Sequence, residues 1–137
     1  MRANPNKIII DTNLWISYLI TNGFNKLDKQ IYSDKALLIF SQELIDEFIC
    51  VSKRPKFAKY FSHDDIARLL ELFDTYGELI KVKSKISVCR DFKDNFLLSL
   101  SVDSQADYLI TGDNDLLCLK SFGKTKILTI IDFESII

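Results

Sequence analysis

The sequence predicts an α/β domain built on a parallel sheet with helices on both faces, and three observations carry that prediction. Short apolar runs of strand length alternate with longer segments whose apolar residues recur at three- and four-residue spacing. The strand-like runs at residues 8–10 and 36–40 are apolar at nearly every position instead of every second one, the pattern of strands buried on both faces. A chain of 137 residues has the length of one ordinary domain and can bury about two-thirds of the surface its unfolded form exposes. Residues 1–137 are therefore expected to fold as a single domain.

Taken in order, residues 7–10 form the first strand, and residues 14–20 follow as a helix too apolar to face water on any side. Thr21, Asn22 and Gly23 break it, and Phe24, Leu27 and Ile31 then fall at the spacing of a short amphipathic helix. Residues 36–40 form the second strand. Ser41 is placed to cap a helix over residues 42–52, which Pro55 keeps from continuing far. Ser62 can cap another helix, with Ile66, Leu69, Leu70 and Phe73 in one stripe and Gly77 at its end. Residues 79–82 are predicted as a third strand, 94–104 as a helix, 108–111 as a fourth strand and 126–130 as a fifth. There is no internal repeat, linker or low-complexity segment.

Composition narrows the functional classes. With 47% hydrophobic and 27% charged residues the chain is neither disordered nor fibrous. Cys50, Cys89 and Cys118 are odd in number and widely spaced, and with the single histidine, His63, they fit no zinc spacing. They are read as reduced thiols of a cytoplasmic protein. No run is long enough for a membrane span or a signal-peptide core. The net charge of −1 comes from 18 basic and 19 acidic residues unevenly spread. Basic clusters at Lys53, Arg54, Lys56 and Lys59, at Lys81, Lys83, Lys85, Arg90 and Lys93, and at Lys120, Lys124 and Lys126 permit nucleic-acid binding without requiring it.

Carboxylates stand at the ends of two predicted strands. Asp11 follows the first and Asp113, in the run from Thr111 through Gly112 to Asp115, follows the fourth. In an open α/β sheet ligands bind beyond the carboxyl ends of the strands, so neighbouring strands would bring both acids to one edge. Each has a plain structural alternative: Asp11 or Asn13 as a helix cap, the second run as an Asx-rich loop, and Asp115 as a cap for a short helix at residues 116–119. Glu47 borders the apolar stripe of its helix and needs either a cation or an ion-pair partner. Asp91 and Asp94 precede an apolar helix like a capping pair, yet Asp94 also shares a face with Leu97, Leu98 and Ser101.

These pieces together resemble the PIN domain superfamily of metal-dependent ribonucleases, and within it the VapC-type toxins of bacterial toxin–antitoxin systems. The resemblance rests on IIIDTN at 8–13, SQELIDEF at 41–48 followed by SKRPKF at 52–57, CRDFKDNFLLSLS at 89–101 and ADYLITGDNDLL at 106–117. Singly each is weak; in this order they span nearly the whole chain. The resemblance implies a PIN-like three-layer α/β/α sandwich with a five-stranded parallel sheet in the order 3-2-1-4-5. It implies Asp11, Glu47, Asp94 and Asp113 as catalytic metal ligands, with Asp115 as a further ligand and Asn13 and Thr111 in support. It also implies dimerisation and an antitoxin partner. Two departures stand out: Phe92 where the family often has proline, and Ser99 and Ser101 where it has small alanines.

The expected chemistry is hydrolysis of RNA phosphodiesters by water activated on Mg²⁺ or Mn²⁺, because a divalent ion relieves repulsion among clustered carboxylates and leaves positions open for water and phosphate. Lys53, Arg54 and Lys56 are the expected contacts to the RNA backbone. No side chain is placed as a nucleophile: His63 is alone, and Ser17 and Ser41 lack a paired base. Two other readings are a non-catalytic PIN-like RNA-binding or scaffold module, and a phosphatase using Asp11 as nucleophile. The latter calls for a second acid where Asn13 stands.

Overall fold

The computed structural model describes residues 5–20, 25–33, 35–60 and 62–137, the side chains at 19, 20, 25, 26 and 63 excepted. The predicted break at Thr21, Asn22 and Gly23, the apolar position Phe24 and the His63 side chain lie outside the described residues. The chain runs β1 (Asn6–Ile10), α1 (Thr12–Ile20), α2 (Asn25–Tyr32), β2 (Ala36–Phe40), α3 (Gln42–Ser52), the single turn α4 (Pro55–Ala58), α5 (His63–Tyr76) and β3 (Gly77–Leu79). It continues through α6 (Phe92–Ser104), β4 (Tyr108–Ile110), α7 (Asn114–Leu117), β5 (Ser121–Phe122), β6 (Thr125–Leu128) and α8 (Ile130–Ile136).

The sheet order is β3-β2-β1-β4-β6-β5. Five strands are parallel and follow the expected order, with β6 in the fifth place; β5 is added at the edge, antiparallel to β6. Among the described residues the sheet thus has six strands, not five. The extra one is a two-residue piece folded back on β6 through Gly123, whose φ of 59° is left-handed and suits glycine.

Successive residues of β1 face opposite sides. Ile8 and Ile10 join Trp15, Leu38, Phe40, Phe48 and Phe73 in one core, while Ile9 joins Ile39, Leu97, Leu98, Leu100 and Leu109 in the other. Helices cover both faces, giving the three layers. Among the described residues no helix is long and apolar enough to cross a membrane.

Local signals account for most boundaries. The Ser41 hydroxyl accepts from the Leu44 amide, and Ser62 forms a reciprocal capping box with Asp65. Lys53 ends α3, and Pro55 opens α4 at a position where its missing N–H costs nothing. Gly77 ends α5 as expected, but in extended conformation with φ −116°. Glycine is needed there for close approach: a Cβ would lie 2.4 Å from the Phe73 carbonyl oxygen and 2.7 Å from the Phe40 ring.

Several boundaries differ from expectation. The third strand lies at Gly77–Leu79 instead of 79–82, because after the Ile80 amide bonds the Phe40 carbonyl at 2.7 Å the chain leaves the sheet. The following stretch is held by α6 side chains instead: Asp103 accepts from the Lys83 and Ser84 amides, Ser99 from Ile86, and Asn95 from Val88 and Cys89. The last strand stops at Leu128, since the Thr129 hydroxyl accepts from the Asp132 amide and starts α8. Helix α6 begins at Phe92, capped by the Asp91 side chain on the Lys93 amide.

Candidate active site

β1 and β4 are adjacent and parallel, with Ile10 opposite Ile110, so the residues that follow them emerge together at one edge. The Asp11 amide donates to the Ile110 carbonyl at 3.0 Å, and its own carbonyl accepts from the Leu14 and Trp15 amides at the start of α1. Asp11 is therefore part of the helix start, and its carboxylate also faces the end of the neighbouring strand, β4. There the Thr111 hydroxyl, fully buried, donates to Asp11 Oδ2 at 2.8 Å and accepts from the Asp113 amide at 3.1 Å. One hydroxyl links the two strand ends. Burial pushes the Asp11 carboxyl up, the Thr111 hydroxyl pulls it down, the Glu47 charge raises it, and the Asn13 and Thr12 amides lower it; the net direction is upward.

Glu47 reaches the same edge from α3. Its Oε2 accepts from the Thr12 hydroxyl at 3.1 Å, and its Oε1 lies 2.9 Å from the Lys93 ammonium. The ion-pair alternative for this glutamate is thus realised, with a lysine on α6. Asp113 caps α7 by accepting from the Asp115 amide at 2.8 Å. The expectation that Asp115 caps a helix over 116–119 is corrected: the helix is Asn114–Leu117, and Asp113 is its cap. Asp115 instead faces Arg90 at 3.3 Å.

Asp94 projects from the first turn of α6 and is only 4% exposed, on a face with buried Leu97, Leu98 and Ser101. Its Oδ2 is buried with no hydrogen-bond partner among the described residues. One oxygen from each of Asp94, Asp113 and Asp115 lies within 4.8 Å of the others. Burial, then the charges of Asp113, Asp91 and Asp11, raise the Asp94 carboxyl from 3.8 to about 6. An orphaned buried oxygen beside two carboxylates fits a hard divalent cation, which takes oxygen ligands and removes the repulsion.

Asp11, Asn13, Glu47, Asp94 and Asp113 all line one cavity of about 680 Å³. Asp115 and Thr111 are outside its lining and are hydrogen-bonded to Asp113, which belongs to it. Of the three expected phosphate contacts, Arg54 lines the cavity, whereas Lys53 and Lys56 are exposed and outside its lining. Lys56 lies over the Phe57 ring at 5.4 Å. Three groups with a place here were not singled out as site residues: Thr12, which orients Glu47, and Lys93 and Arg90, which pair with site acids. Only the basic cluster containing Arg90 and Lys93 signalled the latter two; Thr12 carried no signal beyond its adjacency to Asp11.

A family model described as PIN domain matches residues 7–115. The chain is 35% identical over 123 residues to the uncharacterized protein MJ1680 of Methanocaldococcus jannaschii, across 86% of this chain and 77% of that protein. Among solved structures it is similar to the PIN domain endonuclease Utp24, with TM-score 0.59 and 17% identity over 92% of this chain and 86% of that one. PAE2754 from Pyrobaculum aerophilum is similar at TM-score 0.58 and 17% identity over 96% and 88% of the two chains. The PIN domain of human SMG5 gives TM-score 0.55 and 15% identity over 94% and 96%. At these identities the three solved structures share the fold of this chain.

Proposed function

This chain belongs to the PIN domain family, and from that premise we propose that it is a metal-dependent ribonuclease in which Asp11, Glu47, Asp94 and Asp113 form the catalytic acidic site. The observation that carries the reading is Asp94, whose buried Oδ2 has no hydrogen-bond partner among the described residues and whose carboxylate clusters with those of Asp113 and Asp115. Nuclease activity is the general property of the family, and Utp24 is described as an endonuclease.

Asp94 and Asp113 would hold Mg²⁺ or Mn²⁺, with Asp115 beside them and Asp11 and Glu47 lining the same cavity. Such an ion, when bound, lowers the pKa of a water, orients it toward the phosphorus and stabilises the departing oxygen. The chain's own residues do the rest. Thr111 and the α1 amides hold the Asp11 carboxylate in one orientation, which suits a ligand and hinders its use as a nucleophile. Thr12 fixes Glu47. Arg54 and Lys93 line the cavity as cations for the phosphate backbone, with Lys53 and Lys56 exposed outside its lining as further candidate contacts.

The VapC-like order of motifs supports a narrower role, the toxin of a cytoplasmic toxin–antitoxin pair, active as a homodimer and restrained by a cognate antitoxin. Growth arrest on expression, relieved by the partner protein and absent in Asp11→Asn, tests that role. One observation favours a second reading, a non-catalytic RNA-binding module: Lys93 and Arg90 already neutralise Glu47 and Asp115.

Incubation of the purified protein with mixed RNA in Mg²⁺, Mn²⁺ or EDTA, beside Asp11→Asn and Asp94→Asn, separates these readings. Cleavage that needs metal and both aspartates is the expected result. Equal cleavage by wild type and both variants overturns the mechanism, and RNA binding with no cleavage in any metal supports the module.

A further inference from the structure

Beside the acidic cavity lies a second groove of about 420 Å³, between residues 82–87 and α6. Val82, Ile86, Phe92 and Phe96 line it, with Lys83 and Lys85 at its rim, and Phe92 and Phe96 line the acidic cavity as well. The two spaces are thus neighbours across Phe92. That ring opens α6 and is 80% exposed, the most exposed large hydrophobic side chain among the described residues. Among the described residues it joins neither hydrophobic core.

The lysines beside it are not randomly placed. Exposure alternates along the segment, with Lys81, Lys83 and Lys85 outward and Val82, Ser84 and Ile86 less exposed. Asn95, Ser99 and Asp103 fall four apart along α6 and hold five amides of this stretch, so the cations are presented from a segment fixed to the domain. Among the described residues none of these three lysines makes an ion pair. A fixed row of cations flanking an exposed aromatic ring, continuous with a phosphodiester site, is the combination that binds single-stranded nucleic acid: phosphates follow the cations and an unpaired base stacks on the ring.

We propose that Phe92 is a base-stacking platform for single-stranded RNA beside the scissile phosphate, with Lys83 and Lys85 contacting the backbone on the groove side. The inference rests on the ribonuclease reading only for the identity of the nucleic acid. It makes Phe92 a substrate-positioning residue, one that selects unpaired RNA over duplex.

Anisotropy of a fluorescein-labelled single-stranded oligoribonucleotide, measured in EDTA so that no cleavage intervenes, tests it. Phe92→Ala is expected to weaken binding by on the order of tenfold, while Phe92→Trp restores it and shows indole quenching by RNA. Lys83→Ala with Lys85→Ala is expected to lower the slope of log affinity against log salt by about 0.7 per lost phosphate contact. Binding by Phe92→Ala within twofold of wild type overturns the proposal. So does a shift from dimer to monomer at unchanged RNA affinity, which would assign the face to a protein partner, or equal loss on duplex and single-stranded RNA. Phe92-dependent binding without cleavage in any metal would sustain this inference while removing the ribonuclease reading.

Discussion

The Lys93 ammonium lies 2.9 Å from Glu47 Oε1, so a cation of the chain itself already occupies one side of the acidic site. The Glu47 side chain is 27% exposed and that of Lys93 62%, and such open pairs are worth no more than about 1 kcal/mol. Removing the lysine therefore costs little stability but frees a carboxylate. Lys93→Met is expected to raise Mn²⁺ affinity by up to about fivefold, read by titration calorimetry, and to raise KM for RNA through the lost cation. Unchanged metal affinity would show that Glu47 does not contribute to the ion's site.

Asp94 offers a separation of activity from stability. Its charge is opposed by burial and by Asp113, Asp91 and Asp11, so the metal-free fold gains nothing from ionising it. Asp94→Asn keeps the shape and removes the repulsion. The expected outcome is a Tm in EDTA equal to or above wild type, no further rise in Tm on adding Mn²⁺, and cleavage in Mn²⁺ reduced by about 10²-fold or more. A strongly destabilised Asp94→Asn protein would mean that the carboxylate is structural.

The same carboxyl sets a pH dependence. Its pKa is 3.8 unfolded and about 6 in the fold, so below about 4 both states hold the proton and the contribution is fully present. Between these values the folded state keeps a proton the unfolded state has lost, and stability falls as pH rises. Above about 6 roughly 3 kcal/mol has been lost. Asp11 shifts in the same direction. Asp65 and Asp103, both lowered by hydrogen bonds, act in the opposite sense, but their contributions are lost only below the ordinary carboxylate range. Metal-free protein should therefore lose roughly 5–10 °C of Tm between pH 4.5 and 7, with saturating Mn²⁺ reversing the trend. A Tm rising over that interval in EDTA would contradict the arrangement of charges.

How much of this was legible in the sequence depended on the range of the interaction. Caps such as Ser41 and Ser62, and the buried run at residues 8–10, are local, and the structure has them where the pattern places them. The adjacency of β1 and β4 follows from the strand order that the family resemblance implies, which is why Asp11 and Asp113 could be brought to one edge in advance. Residues 79–82 misled because their apolar character serves packing on α6 after the chain leaves the sheet, where Ile80, Val82 and Ile86 join the second core. Ile130 misled in the same way: it looks like the end of a strand, yet Thr129 turns it into the first residue of a helix. β5 is too short for any periodicity. The pairing of Lys93 with Glu47 and of Arg90 with Asp115 joins residues on different elements, and nothing local marks which cation meets which acid.

Thr111 carries the last prediction because its one hydroxyl serves both strand ends. It donates to Asp11 at 2.8 Å and accepts from the Asp113 amide at 3.1 Å, in a fully buried position. Thr111→Val keeps the shape but leaves that amide without its partner and deprives the Asp11 carboxylate of its side-chain donor. The expected cost is about 1–3 kcal/mol in urea unfolding. Losing the donor also raises the Asp11 carboxyl further, so proton competition should weaken Mn²⁺ binding in Thr111→Val more at acidic pH than it does at pH 8. Thr111→Ser, which keeps the hydroxyl, should recover metal affinity more fully than stability, since it still lacks the methyl group. If the valine variant bound Mn²⁺ as wild type does at both pH values, the hydroxyl would serve the fold alone, and Asp11 would need no help from β4 to hold its position.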